Sequence, residues 1–174
     1  MYDISFDNYF KLLNWNIIFW GIKADIISAK SAIDYANALI KRNILKNETL
    51  LISLLILDNI CKEEVLKLII NIKSNENFNE DESLRILRYI ILDNIQESIK
   101  DNKEILNNIE NVYADFDYPS DMDSFISYMP ANDYGYDVSE HTQEENEQRL
   151  IKKFNLFLSK EKHWIQQIQS RNQT

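Results

Sequence analysis

The sequence predicts an all-α protein built from packed helical hairpins. Two glycines and two prolines in 174 residues leave few hairpin or tight-turn signals. Apolar residues recur at helical spacing in most windows, and polar residues suited to helix capping stand before several of those runs.

Trp15, Ile18, Phe19 and Ile22 mark a first helix ending near Gly21 to Ala24. Ser28 is the expected N-cap of a second helix reaching Asn43, with Ala32, Tyr35, Ala36, Leu39 and Ile40 on its inner face. Glu48 to Leu57 and Lys62 to Ile72 read as the next pair, followed by a polar surface loop from Lys73 to Glu80. Asn79 with Glu82 has capping-box spacing, and Leu84, Leu87, Ile91 and Ile95 continue as one stripe. A helix is expected from about Lys103 to Tyr113. Ser120 with Asp123 signals the start of a short helix carrying Met122, Phe125, Ile126 and Met129. Thr142 with Glu145 opens the last helix, which runs on Leu150, Ile151, Phe154, Phe157, Leu158, Trp164, Ile165 and Ile168. At about 1.5 Å per residue it reaches ~40 Å.

ILDNI occurs at 56–60 and again at 91–95, a spacing within the range of helical-hairpin repeats. The match does not extend, because Lys62 to Val65 falls against Glu97 to Lys100. Packed hairpins are therefore the expected arrangement, with a short α-solenoid-like array as the alternative. The length fits one domain over residues 1–174, with 113–141 as an acidic aromatic loop and short helix within it.

Cys61 is the only cysteine, which excludes an intramolecular disulfide and suits a reducing cytoplasm; it reads as a buried structural thiol. The opening MYDISFDNYF carries acids where a signal peptide has bases. The longest apolar run, Leu50 to Leu57, is interrupted by Ser53 and stopped by Asp58. That is short of the ~20 residues of a membrane span, so the expectation is a soluble cytoplasmic protein that makes no membrane contact.

The net charge of −9 has one source. Between Lys103 and Arg149 there is no lysine or arginine, while twelve acids accumulate, leaving 16 acids against 19 bases elsewhere. Five of the nine tyrosines, Tyr113, Tyr118, Tyr128, Tyr134 and Tyr136, lie in the same interval. Some of these acids suit helix first turns, where the macrodipole favours them: Asp121 and Asp123 after Ser120, and Glu144, Glu145 and Glu147 after Thr142. Asp115, Asp117, Asp133, Asp137 and Glu140 have no such role and are interleaved with tyrosine. Rings supply rigid contact area and carboxylates supply charge-assisted hydrogen bonds, the composition of a surface that receives lysine and arginine. Such a face repels nucleic acid. The partner-binding residues expected on this basis are Asp115, Asp117, Tyr118, Asp121, Asp123, Asp133, Tyr134, Tyr136, Asp137 and Glu140. The competing reading is a solvated acidic loop with buried rings.

No catalytic residues, metal site or cofactor are expected. An EF-hand loop begun at Asp115 would have Pro119, Ser120 and Ile126 where it needs an acid, a glycine and a glutamate. His141 and His163 lack zincin or zinc-finger spacing and read as surface or interface histidines. With only Gly21 and Gly135, no nucleotide-binding loop or nucleophile elbow can be built. Acid/base hydrolysis by paired aspartates stays open as an alternative function, as does a helical scaffold for some other protein.

Two stretches, LNWNIIFWGIKADIISAKSAIDYANALI (Leu13 to Ile40) and VYADFDYPSDMDSFISYMP (Val112 to Pro130), resemble an uncharacterised bacterial family, domain of unknown function 2247. The first matches the family's opening helix pair. The second matches its Y-A-D-F-D-Y-P motif and the Phe-and-Tyr helix ending M-P. The resemblance covers most of the chain, although residues 14–72 and the asparagine-rich middle match as a hydrophobic pattern. No catalytic residue is known for the family, so none is carried over. What the resemblance implies is context: such small acidic proteins are similar to immunity proteins encoded beside polymorphic or contact-dependent toxins, many of them basic nucleases. The expected function is therefore an immunity protein that binds a cognate, basic toxin and occludes it without catalysis.

Overall fold

A chain with two glycines must end its helices without the residue that ends them most cheaply, and asparagine and aspartate do that work here. The computed structural model describes residues 1–44, 48–57, 60–72, 79–130 and 135–171. Within these the fold is all-α and contains no strand. The helices are α1 (Trp15–Lys23), α2 (Lys30–Lys41), α3 (Glu48–Leu55), α4 (Lys62–Ile72), α5 (Glu80–Ser98), α6 (Asn102–Asp115) and α7 (Gln143–Arg171), with 3₁₀ turns at Ser120–Phe125 and Val138–Glu140.

Three of these helices close the same way. After α1, the Asp25 N–H donates to the Ile22 carbonyl and the Ile26 N–H to that of Gly21. After α2, Asn43 donates to Ile40 and Ile44 to Leu39; after α6, Asp117 donates to Ala114 and Tyr118 to Tyr113. These are paired 5→2 and 6→1 Schellman bonds, which need a left-handed residue just past the helix. Asp25, Asn43 and Asp117 supply it at φ 59°, 58° and 60°. Asparagine and aspartate reach that region at lower cost than other side-chain-bearing residues.

The chain divides into two compact units, Met1–Ile90 and Ile91–Thr174, with the boundary inside α5. In the first, α1 packs on α2 and α4, and α3 on α2 and α4. Asn14 caps α1 by accepting from the Ile17 N–H at 3.0 Å. Tyr35 of α2 is buried, donates its hydroxyl to the Leu13 carbonyl at 3.1 Å, and is surrounded by Phe6, Phe10 and Trp15. A Cβ on Gly21 would come within 2.6 Å of a Leu87 methyl, so α1 and α5 approach closely there and a larger residue would require Leu87 and Ile27 to shift. Lys62, the first residue of α4, donates to the Lys23 carbonyl at the end of α1 and pairs with Asp25 at 2.6 Å. In the second unit α7 packs on α6 and on the 3₁₀ turn Ser120–Phe125, with Phe125 buried against Phe154 and Phe157.

Both expected capping boxes have partners. Asn79 accepts from the Glu82 N–H at 3.1 Å, and Thr142 and Glu145 bond reciprocally to open α7. Two other caps differ from expectation. Neither Ser28 nor Ser120 makes a side-chain cap: the residues at the N-cap positions are Ala29 and Pro119. Pro119, with φ −67°, pre-sets the turn, and the expected short helix is a single 3₁₀ stretch ending at Phe125. Cys61 is half-buried, not buried, and its thiol donates to the Glu63 carboxylate at 2.7 Å. The two ILDNI copies are not equivalent: Ile56, Leu57 and Ile60 lie between α3 and α4, whereas Ile91–Ile95 is helical. Residues 58–59 of the first copy, and most of the loop expected at 73–80, lie outside the described residues.

If Asn43 ends α2 through its left-handed backbone, Asn43→Gly should leave stability unchanged or raise it by up to about 1 kcal/mol, whereas Asn43→Val should lower it by about 1–2 kcal/mol. Urea midpoints of the two variants decide this; equal stability of glycine and valine at this position would remove the argument.

Candidate functional site

The acidic interval begins at the end of α6, where the backbone is most constrained. Asp117 and Tyr118 have consecutive positive φ, 60° and 56°. The residue before a proline ordinarily takes extended backbone, so Tyr118 is held against its preference. Its N–H bond to the Tyr113 carbonyl and the edge-on contact of its ring with that of Tyr113, at 5.3 Å and 84°, hold it there.

Tyr113 is the anchor. It is 4% exposed, and its hydroxyl donates to Asp123 Oδ1 at 2.7 Å. The bond therefore ties the last turn of α6 to the 3₁₀ turn. The carboxylate beside it, together with burial, pushes the Tyr113 phenol up to about 12. Tyr128 also rests on Tyr113, at 6.3 Å and 57°. Burial, then the charges of Glu110 and Tyr118, raise its phenol above the ordinary value. Glu110 accepts a hydrogen bond from the Ser127 hydroxyl. On this base Tyr118 and Tyr128 stand 59% and 58% exposed.

The expected partner-binding residues fall into distinct settings. Asp115, Asp117 and Asp121 are exposed beside the tyrosine trio, while Asp123 is half-buried and engaged by Tyr113. Asp137 and Glu140 are exposed, but Asp137 accepts from the Ser139 N–H and hydroxyl, which hold its carboxyl below the usual range. Tyr136 is half-buried and committed within the unit. Its hydroxyl donates to Asn146 at 2.8 Å, its ring stacks on His141 at 4.3 Å, and the Arg149 guanidinium lies over it at 4.4 Å. Asp133 and Tyr134 lie outside the described residues.

The interval is free of cations in sequence but not throughout in space. Lys103 and Arg149, which bound it, both line a cavity of about 460 Å³ with Leu106, Met129, Val138 and Leu150. The half that includes Tyr136 thus has cations folded against it. The half at the end of α6 presents Asp115, Asp117, Tyr118, Asp121 and Tyr128. Tyr128 is not among the residues expected from sequence. Its signal is a tyrosine ten residues beyond Tyr118 on the far side of the Phe125 turn, a position that suggests a packing role instead.

Among the described residues no helix is long and apolar enough to cross a membrane, and no three His, Cys, Asp or Glu side chains group in a set able to hold a metal. The raised Tyr113 value has a consequence for stability. Its contribution is complete below the ordinary tyrosine value of 10 and is lost as pH rises through about 12. An absorbance titration should therefore show a tyrosine ionising near 12, and Asp123→Asn should move that component towards 10. A late component unmoved in folded Asp123→Asn would remove the assigned cause.

Comparison with curated proteins and with solved structures gives no match. A family model matches residues 4–162, nearly the whole chain, and the protein accordingly belongs to the family described as "Uncharacterized protein conserved in bacteria (DUF2247)".

Proposed function

We propose that the chain is an immunity protein whose acidic aromatic surface, at the end of α6 and the following 3₁₀ turn, docks a basic cognate toxin and blocks it by occlusion. The observation that carries this reading is the pairing of two exposed tyrosines with exposed carboxylates on a rigid base: Tyr118 and Tyr128 on buried Tyr113, beside Asp115, Asp117 and Asp121. Exposed rings held in place cost little conformational entropy on binding and are frequent anchors of interfaces.

The distribution of charge supports the same reading. Residues 1–90 carry 12 acids and 11 bases, net −1, whereas residues 91–174 carry 16 acids and 8 bases, net −8. A surface of one sign speeds encounter with a partner of the other and repels phosphate backbones. On a basic nuclease its carboxylates would take the places of nucleic-acid phosphates.

The test replaces Asp115, Asp117 and Asp121 with lysine and measures association with the basic toxin domain that this reading expects to be encoded beside the chain. The on-rate should fall at least about tenfold at 0.01 M salt, where the Debye length is ~30 Å, and the deficit should shrink at 0.1 M, where it is ~10 Å. A folded variant with unchanged rates at low salt, or no binding by the native chain, would overturn the reading.

A further inference from the structure

We infer that the exposed rings of Tyr118 and Tyr128 receive a single cationic side chain, a lysine ammonium or arginine guanidinium, presented by the docking protein. The inference rests on the docking reading for its partner, but it assigns a specific chemical contact that charge complementarity alone does not require.

The first support is how this chain uses aromatic rings elsewhere. The Arg42 guanidinium lies 4.1 Å from the Phe10 ring centre, the Lys23 ammonium 4.1 Å from Trp20, and the Arg149 guanidinium 4.4 Å from Tyr136. In each case the electron-rich ring face holds an internal cation. Among the described residues no lysine or arginine lies over Tyr118 or Tyr128, although both rings are more than half exposed. Both tyrosines lie within the 45 residues between Lys103 and Arg149 that contain no lysine or arginine.

The second support is preorganisation. Both rings pack on Tyr113, at 5.3 Å and 6.3 Å, and Tyr113 is locked by Asp123. Tyr118 is further held by left-handed backbone ahead of Pro119. Strain of this kind persists where surrounding contacts impose it, and it tends to gather at binding sites. Glu110, whose charge acts on Tyr128, and Asp117, next to Tyr118, supply carboxylates that accept from the N–H groups of a cation lying on the rings.

The experiment needs no toxin. Tyrosine ring resonances of the full chain are followed by NMR while N-acetyl-arginine methylamide, N-acetyl-lysine methylamide or the neutral N-acetyl-glutamine methylamide is added. Saturable shifts at Tyr118 and Tyr128 with a cationic probe, absent with the neutral one, are expected; the tighter of the two cations identifies the side chain. Tyr128→Leu, which leaves the Tyr118–Tyr113 contact in place, should weaken binding about two- to fivefold, and Tyr118→Leu should do the same. Tyr136→Phe, outside the pair, should change nothing. Linear shifts without saturation, or equal shifts with the neutral probe, would overturn the inference. Saturable probe binding in a chain that fails to bind the basic domain would sink the docking reading and leave this contact standing.

Discussion

The fold depends on solving one backbone problem, the reversal of a helical chain that has almost no glycine. Each Schellman closure satisfies two orphan carbonyls and turns the chain sharply, but it requires positive φ at one residue. Asp25 starts the connection between α1 and α2, Asn43 ends α2, and Asp117 ends α6. The position of each reversal also sets where the neighbouring side chains go. Asp25 leaves its carboxylate where Lys62 bonds both to it and to the end of α1. Asp117 delivers Tyr118 to the surface with its ring braced on Tyr113.

The second unit adds a side-chain constraint to this backbone one. A buried tyrosine hydroxyl demands a partner, and Asp123 supplies it from the 3₁₀ turn. Phe125, two residues on, then enters the core against Phe154 and Phe157 of α7. The face of the turn towards Phe125 is apolar and buried, while Asp121 and Tyr128 point their polarity outwards. Core formation and surface chemistry are thus two sides of one short segment.

Periodicity and capping chemistry make the helices legible, because both are local. Asn79–Glu82 and Thr142–Glu145 open helices where expected, and of the stripe Leu84, Leu87, Ile91 and Ile95 the last three are buried while Leu84 is half-buried. The helix ends are harder to read, since Asp25, Asn43 and Asp117 look like any other polar residue until the backbone assigns them positive φ. Ser120 misleads for a related reason: its spacing to Asp123 fits a cap, but Asp123 is engaged by a tyrosine ten residues upstream, which a local pattern cannot reveal. The acidic interval is visible as composition. Its division is not, because the cations folded against its second half come from Lys103 and Arg149, beyond its ends.

The use of aspartate and asparagine at helix ends also has a genetic meaning. Glycine is encoded only by codons beginning GG, whereas asparagine and aspartate are encoded by AAT, AAC, GAT and GAC. A gene drifting towards adenine and thymine loses glycine readily and gains asparagine. A fold whose reversals at Asp25, Asn43 and Asp117 already run on side chains that tolerate the left-handed region can follow that drift without losing its helix boundaries. Gly21 is a different case, because a methyl group there would already meet Leu87, and neither asparagine nor aspartate could enter without that side chain moving.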